Sequence, residues 1–247
     1  MDWTTPQKPA ELTEARLIDA ILDERFPPGS LLPAERELAL QLGVTRPTLR
    51  EALQRLARDG WLDIRQGKAT RVKDYWHEGS LGVLSALAQH RERLPADFIP
   101  NLLAVRLAIA PAYARQAVER KAERVVNFLS HSLSLEDSET AYATYDWDLH
   151  HSLSISSGNP IFTLILNGFS ELYRPMACYY FQSDHARQSS LYFYQKLLSA
   201  AHQRDGQAAE SITRQAMDHS LEHWNEMVNP QIHKNSQTGV CRSGGAA

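Results

Sequence analysis

Leu32-Pro-Ala-Glu-Arg-Glu-Leu-Ala-Leu-Gln-Leu-Gly-Val-Thr-Arg-Pro-Thr-Leu-Arg-Glu-Ala-Leu-Gln-Arg-Leu-Ala-Arg-Asp-Gly-Trp61 reads as two short helices joined by a tight turn. Leu38, Ala39 and Leu42 give the first helix one apolar side. Gly43 follows, where a helix exit often requires a left-handed backbone. Thr45 is placed to cap the second helix. Pro47 falls in a first turn, whose N–H groups have no intrahelical partner to lose. Leu49, Ala52, Leu53 and Leu56 recur at helical spacing and turn inward. Arg46, Thr48 and Arg50 are left facing outward at the N-terminal end, where a recognition helix meets base edges and phosphates.

The residues beyond extend this reading. Trp61-Leu-Asp-Ile-Arg65 and Ala69-Thr-Arg-Val72 predict two short strands, with Gln66-Gly67-Lys68 as the turn between them. Helix-turn-helix followed by such a hairpin is a winged helix. A glycine at the tip lets the backbone approach a groove, and Lys68 and Thr70 reach toward phosphates. Arginines on a helix alone would describe any solvated face. The ordered set of cap, glycine turn, basic first turn and basic wing selects DNA binding. The expected contacts to a double-stranded operator are Arg36, Thr45, Arg46, Pro47, Thr48, Arg50, Gln66, Gly67, Lys68 and Thr70.

A chain of 247 residues has room for two modest domains, and 43% hydrophobic with 22% charged residues is ordinary for a globular protein. The net charge of −3 argues against a nucleic-acid binder until its distribution is considered. Residues 30–76 hold nine Lys/Arg against six Asp/Glu, whereas residues 77–247 hold fourteen against seventeen. The field near a surface follows local charge, so the positive excess falls where the winged helix is. No apolar run is long enough to span a bilayer, and the first residues lack a basic stretch followed by an apolar one. The two cysteines, Cys178 and Cys241, do not suggest a disulfide framework. These features predict a cytoplasmic protein.

The expected fold class is mainly α: an N-terminal winged helix-turn-helix with a small β-hairpin, then an all-α helical bundle. The winged domain is expected over 10–76, opened by a helix from Leu12 to Leu22, with residues 1–9 disordered. An apolar connecting helix is expected over 77–94, a helical domain over 95–228 and a disordered tail over 229–247. Within the helical domain the periodicity predicts helices near 96–119, 121–134, 139–156, 160–182, 186–204 and 207–227. Asn159 before Pro160 marks a stop and restart, Asp205-Gly206 a second break, and Pro111 is expected to kink or divide its helix.

Ligand sites in helical bundles are built from inward-facing side chains, so polar residues on apolar helices are the candidates. Arg106 is the clearest, because a guanidinium in an apolar run needs a partner, either an internal carboxylate or an anionic ligand. Leu172-Tyr173 and Tyr179-Tyr180-Phe181 form an aromatic set that fills a core or presents the Tyr180 hydroxyl to a ligand. Ser220 and Trp224 lie four apart and share one helix face. Asp146 and His150 share another at metal-ligand spacing, which equally suits a polar core pair. No nucleophile elbow, glycine-rich phosphate loop or Ser-His-Asp series points to an enzyme.

Pro33-Ala-Glu-Arg-Glu-Leu-Ala39, Gly43-Val-Thr-Arg46, Leu49-Arg-Glu-Ala-Leu53 and Leu56-Ala-Arg-Asp-Gly-Trp61 resemble the winged-helix signature of the GntR-type bacterial transcription factors. Arg25-Phe-Pro-Pro-Gly29, Ser157-Gly-Asn-Pro-Ile161 and Leu164-Ile-Leu-Asn-Gly168 are similar to the branch of that family that regulates fatty-acid metabolism. The resemblance spans roughly residues 12 to 228 and is strongest before residue 77. It implies a homodimer on a pseudo-palindromic operator, released by long-chain fatty acyl-CoA. Its targets would be repressed fatty-acid degradation genes and activated unsaturated fatty-acid synthesis genes. It implies no cofactor and no membrane partner, and it assigns the ligand site to Leu103, Arg106, Tyr180, Met217, Ser220 and Trp224. Met217 replaces a glycine of that branch, and Asn229 stands near its lysine, so chain-length preference and a phosphate contact are open. Metal-binding members of the family join the Asp-x-x-x-His pair to two later histidines. Tyr194 and Ala216 stand at those positions here, with His219 one turn displaced, so no metal is expected. A regulator sensing a carboxylic acid through a metal is the alternative.

Overall fold

The computed structural model describes residues 8–88, 90 and 93–228. The predicted tail over 229–247, with Asn229 and Cys241, lies outside the described residues, as does all but Lys8 and Pro9 of the predicted disordered start. The elements are α1 (Pro9–Leu22), α2 (Glu35–Leu42), α3 (Arg46–Asp59), β1 (Leu62–Asp63), β2 (Arg71–Val72), α4 (Tyr75–Glu78) and α5 (Leu81–Ala88). Then follow α6 (Phe98–Leu129), a 3-10 turn (Ser130–Ser134), α7 (Glu139–Ser156), α8 (Pro160–Gly168), α9 (Ser170–Tyr180), α10 (Asp184–His202) and α11 (Gly206–Val228). The chain divides into two compact units at Leu94/Pro95. Among the described residues no helix is long and apolar enough to cross a membrane.

In the first unit, local chemistry sets the angle between α2 and α3. Gly43 closes α2 with φ 67°, a conformation that costs a residue with a β-carbon about 1–2 kcal/mol. Thr45 caps α3 by accepting from the Thr48 N–H at 3.4 Å. Leu38, Leu49, Leu53 and Leu56 are buried, as are Leu17 and Ile21 of α1 and Trp61, and α3 packs against both α1 and α2. The hairpin pairs antiparallel with Leu62 opposite Val72, both buried. Its strands are shorter than expected: the Thr70 carbonyl accepts from Leu32 N–H instead, at 2.8 Å, and Val72 N–H donates to Ser30. The segment before α2 thus takes the outer edge of β2.

The expected single connecting helix is interrupted. Gly79 is extended (φ −72°, ψ 166°) and separates α4 from α5. Ser80 Oγ donates to the Asp59 carbonyl at 2.6 Å, satisfying one of the orphan acceptors at the end of α3. Gly82 lies so close to Asp59 that a β-carbon there would stand 3.0 Å from the Asp59 side chain. The seam between α5 and α3 therefore overrides the apolar periodicity that predicted one helix.

In the second unit α11 packs along α6, and α7, α9 and α10 complete the bundle. Ala110, Ala114 and Ala117 on α6 are fully buried, small enough for close helix approach. Of the two outcomes expected at Pro111, division does not occur; the one residue inside α6 with non-helical dihedrals is Lys121 (φ −142°, ψ 42°). Proline in a helix interior costs about 3 kcal/mol through its lost hydrogen bond, which the burial of Pro111 in the core helps to offset. The break expected between 119 and 121 falls at the Lys121 kink, so the expected helices over 96–119 and 121–134 are the two parts of α6, the second ending in the 3-10 turn. The expected helix over 160–182 is two, α8 and α9, parted at Phe169 just after Gly168, the poorest helix former of that run after proline. Asn159 caps α8 by accepting from Ile161 N–H at 3.1 Å, and Asp205 caps α11 through Ala208 N–H at 2.9 Å.

Candidate functional site

The winged unit presents its cations on one helix start and one turn. Arg46 and Pro47 open α3, are exposed, and stand beside the exposed cap Thr45. Thr48 is half-buried, its hydroxyl 2.8 Å from that of Thr45. Arg36 is exposed on α2. Among the described residues Arg36, Arg46 and Lys68 have no carboxylate partner. Arg50 does: its Nε donates to Glu35 Oε2 at 2.7 Å, an ion pair that sequence spacing did not reveal because the two residues lie on different helices. Such an exposed pair is weak, about 0–1 kcal/mol, and can open toward a phosphate. In the wing, Gln66, Gly67 and Lys68 are exposed at the turn and Thr70 is half-buried. Gly67 has φ 73° with nothing within 4 Å of a β-carbon built on it, so its backbone freedom rather than crowding is what the turn requires.

In the helical unit the six residues singled out as ligand contacts line one cavity. Leu103 and Arg106 reach it from α6, Tyr180 from the last residue of α9, and Met217, Ser220 and Trp224 from α11. It holds about 950 Å³ of atom-free space, open solvent at its mouth included. The rest of its wall is apolar apart from Asp146, Tyr173, Ser189 and Ser190. Ile99, Leu102 and Met176 contribute to that wall and were not foreseen, since nothing distinguishes them in sequence from core residues.

A buried polar cluster sits in this wall. Arg106 Nη2 donates to Asp146 Oδ2 at 2.7 Å, and its guanidinium carbon lies 5.1 Å from the centre of the Tyr173 ring. Asp146 also accepts from the hydroxyl of Tyr173 and, at 2.8 Å through Oδ1, from that of Tyr194. Burial pushes the Asp146 carboxyl up, but the Arg106 charge and the two hydroxyl donors outweigh it and hold the group below its ordinary value. Burial also drives His150 down to about 3, helped by Arg106 and opposed by Asp146, so its imidazole is neutral. The Tyr113 hydroxyl meets His150 Nδ1 at 2.6 Å. Both Arg106 Nε and His150 Nε2 are buried without a hydrogen-bond partner, the latter 3.9 Å from Asp146 Oδ1.

Asp146 and His150 are therefore both core residues, but they do not hydrogen-bond to each other. Asp146 is Arg106's partner across two helices, and Tyr194, at a position where metal-binding relatives would place a ligand, occupies one of its oxygens. Among the described residues no three His, Cys, Asp or Glu side chains are arranged to hold a metal ion. Ala216 lines the cavity without a ligating atom, and His219, exposed on α11, is not part of the cavity wall. Tyr180 is pushed up by burial, partly relieved by its hydrogen bond with Ser220, so its hydroxyl stays protonated. The ring of Trp224 packs edge-on against Tyr179 at 5.7 Å.

Residues 9–72 match the family described as bacterial regulatory proteins of the gntR family, and residues 73–235 match the FadR C-terminal domain. The chain is 42% identical over 225 residues to a fatty acid metabolism regulator protein of Proteus mirabilis, covering 91% of this chain and 94% of that one. It is 45% identical over 193 residues to the protein of the same name in Shewanella pealeana, covering 78% and 81%. The solved structure of Lar, which controls expression of the Listeria monocytogenes agr system, aligns over 90% of this chain and 98% of its own. The TM-score is 0.59 at 14% identity, a likeness of fold alone.

Proposed function

Because this chain belongs to the GntR family with a FadR-type C-terminal domain, a family of transcription regulators and not of enzymes, we propose that it regulates fatty-acid metabolism as a DNA-binding homodimer that long-chain fatty acyl-CoA releases from its operator. The cavity in the helical unit carries this reading: three separate helices bring an apolar wall, a tyrosine, a serine and a buried arginine to one place. That is what an amphiphile with a hydrocarbon tail and a polar junction needs. Each methylene buried contributes about 0.8 kcal/mol, so affinity rises with chain length until the cavity ends, with Met217 part of that wall. The Tyr180 hydroxyl is the donor we assign to a thioester carbonyl, with the Arg106 guanidinium in the wall beside it.

Each winged unit reads one half of a pseudo-palindrome in the cytoplasm, with Arg46 and Arg50 in the major groove and Gln66, Gly67 and Lys68 of the wing against the backbone or minor groove. Acyl-CoA favours a dimer state that no longer fits the half-site spacing. Repressed degradation genes and activated unsaturated fatty-acid synthesis genes are the targets we propose, as the sequence resemblance implies. The test uses a duplex selected by the protein from a random pool. Long-chain acyl-CoA lowers its affinity in a gel shift and free CoA does not; Arg46→Ala costs about 1–3 kcal/mol of binding. An acyl-CoA that leaves the duplex bound removes the lipid reading, and an unchanged Arg46→Ala protein removes that base contact.

A further inference from the structure

Next to the apolar cavity is a second, polar hollow of about 590 Å³ of atom-free space, lined by Tyr180, His185, Ser189, His219, Glu222, His223 and Glu226. Tyr180 and Ser189 line both hollows, so the two adjoin at these side chains. His185 stands in the first turn of α10, and His219 and His223 lie one turn apart on α11. The His185 and His223 rings are 5.0 Å apart. His223 Nε2 pairs with Ser183 Oγ at 3.1 Å and its Nδ1 lies 3.7 Å from Glu226.

We propose that this vestibule takes the anionic headgroup of a ligand whose alkyl chain fills the cavity, and that its imidazoles take up protons when it does so. The proposal rests on the lipid-sensor reading above and deepens it. Because only the Tyr180 and Ser189 side chains part it from the cavity, an amphiphile with its tail inside has this hollow next to its head. The occupant is an oxyanion rather than a metal ion, since the vestibule side chains do not converge on a metal-binding arrangement. The first turn of α10 adds the positive end of a helix dipole. Against an anion stand the carboxylates Glu222 and Glu226. With all three imidazoles neutral the lining is net negative, and with them protonated it is net positive. The other ionisable groups bordering it do not change that balance: Tyr180 is uncharged, and Asp184 beside His185 is held by Arg187. Histidine is the side chain that crosses between charge states near neutral pH. His223 starts on the neutral side, lowered by burial and by His185. An arriving anion therefore favours protonation, and by linkage protons favour the anion.

The test is isothermal titration of the full chain between pH 6 and pH 8, in two buffers of different ionisation enthalpy, with EDTA throughout. The probes are palmitoyl-CoA, palmitate and free CoA. The variants are His185→Gln/His219→Gln, both at exposed positions, with His202→Gln as a control outside the vestibule. A ligand phosphate's own titration is common to every protein and cancels in the difference. Uptake of one full proton changes affinity about tenfold per pH unit. We expect the wild type and His202→Gln to lose three- to tenfold more affinity on raising the pH than the double variant does, with buffer-dependent heats that the double variant lacks. A slope seen with palmitoyl-CoA alone identifies the phosphates as the occupant; an equal slope with palmitate identifies a carboxylate. Tight binding with the same slope and the same heats in wild type and double variant overturns the vestibule proposal alone. No binding of palmitoyl-CoA or palmitate at any pH overturns the lipid-sensor reading with it.

Discussion

Asp146→Asn keeps the shape of the side chain and removes its charge, leaving Arg106 as a buried cation with no counter-ion. The side chains of Asp146 and Arg106 are only 6% and 16% exposed, so solvent cannot replace the lost partner. Breaking a buried pair by removing one member costs about 3–5 kcal/mol. Tyr173 and Tyr194 donate to different oxygens of Asp146, so with the amide one of these bonds falls from charge-assisted to neutral and the other loses its acceptor, at a cost on the order of 1 kcal/mol or more each. Arg106→Met strands the carboxylate instead, where the two hydroxyls partly support it, so it is the milder change. Arg106→Met/Asp146→Asn removes both charges while leaving one of the two tyrosines an acceptor. Its cost is therefore well below the sum of the singles, with a coupling of about 2–3 kcal/mol. Hydrogen exchange on peptides from α7 and α9 reports this unit without mixing in the winged one. Additivity of the two changes within about 0.5 kcal/mol, or a loss below about 1 kcal/mol for Asp146→Asn, refutes the claim that the pair holds the cluster together. The double variant answers a second question: if it regains stability but not acyl-CoA affinity, Arg106 also contacts the ligand.

His150 carries a pH prediction. Its folded value is depressed to about 3, so between that value and the ordinary histidine range the unfolded chain binds a proton that the folded chain does not. Stability therefore falls as pH drops through that window, by up to about 4–5 kcal/mol from this residue. His150→Gln flattens the dependence of the urea midpoint on pH between about 3.5 and 6.5; an unchanged slope means that other groups set it. The glycines separate crowding from conformation. A β-carbon at Gly60 would stand 2.6 Å from Ser80 N with φ at 102°, whereas at Gly67 it meets nothing. Gly60→Ala destabilises the winged unit by more than 3 kcal/mol, while Gly67→Ala costs only its left-handed strain, about 1–2 kcal/mol, and weakens operator affinity if the wing tip touches DNA. Thermal melts and gel shifts distinguish them, and equal melting losses at the two sites contradict this account.

Much of the winged unit was legible because its determinants are local. A cap accepts from a residue three along, a glycine turns where its own φ is positive, and a hydrophobic stripe repeats every turn. What escaped the sequence was set by partners distant along the chain. Gly79 opens a break because Ser80 satisfies the carbonyl of Asp59, and Arg50 is paired because Glu35 faces it from another helix. Pro111 looked like a kink or breaker, yet α6 runs through it to the expected boundary at Lys121, ten residues on. Proline's cost is local, but whether the helix bears it depends on the core packed against it.

The cavity divides in the same way. Arg106 announced itself, because a guanidinium in an apolar run demands an acid, and the sequence contained that acid in Asp146. It did not say that the two would meet, since Asp146 was read against His150, its neighbour on one helix face. Spacing favoured the pair one turn apart, and desolvation decided otherwise. A buried carboxylate is worth most to a permanent cation and to hydroxyls that can turn toward it, and a histidine this deeply buried stays neutral and offers no charge. Tyr173 and Tyr194 give no polar signal in sequence, because tyrosine fills cores as readily as it donates. This arrangement leaves Arg106 satisfied through Nη2 yet unpaired at Nε within the cavity wall. On the proposed reading stability and ligand recognition meet on one guanidinium, and a variant that removes the charge together with its partner separates them.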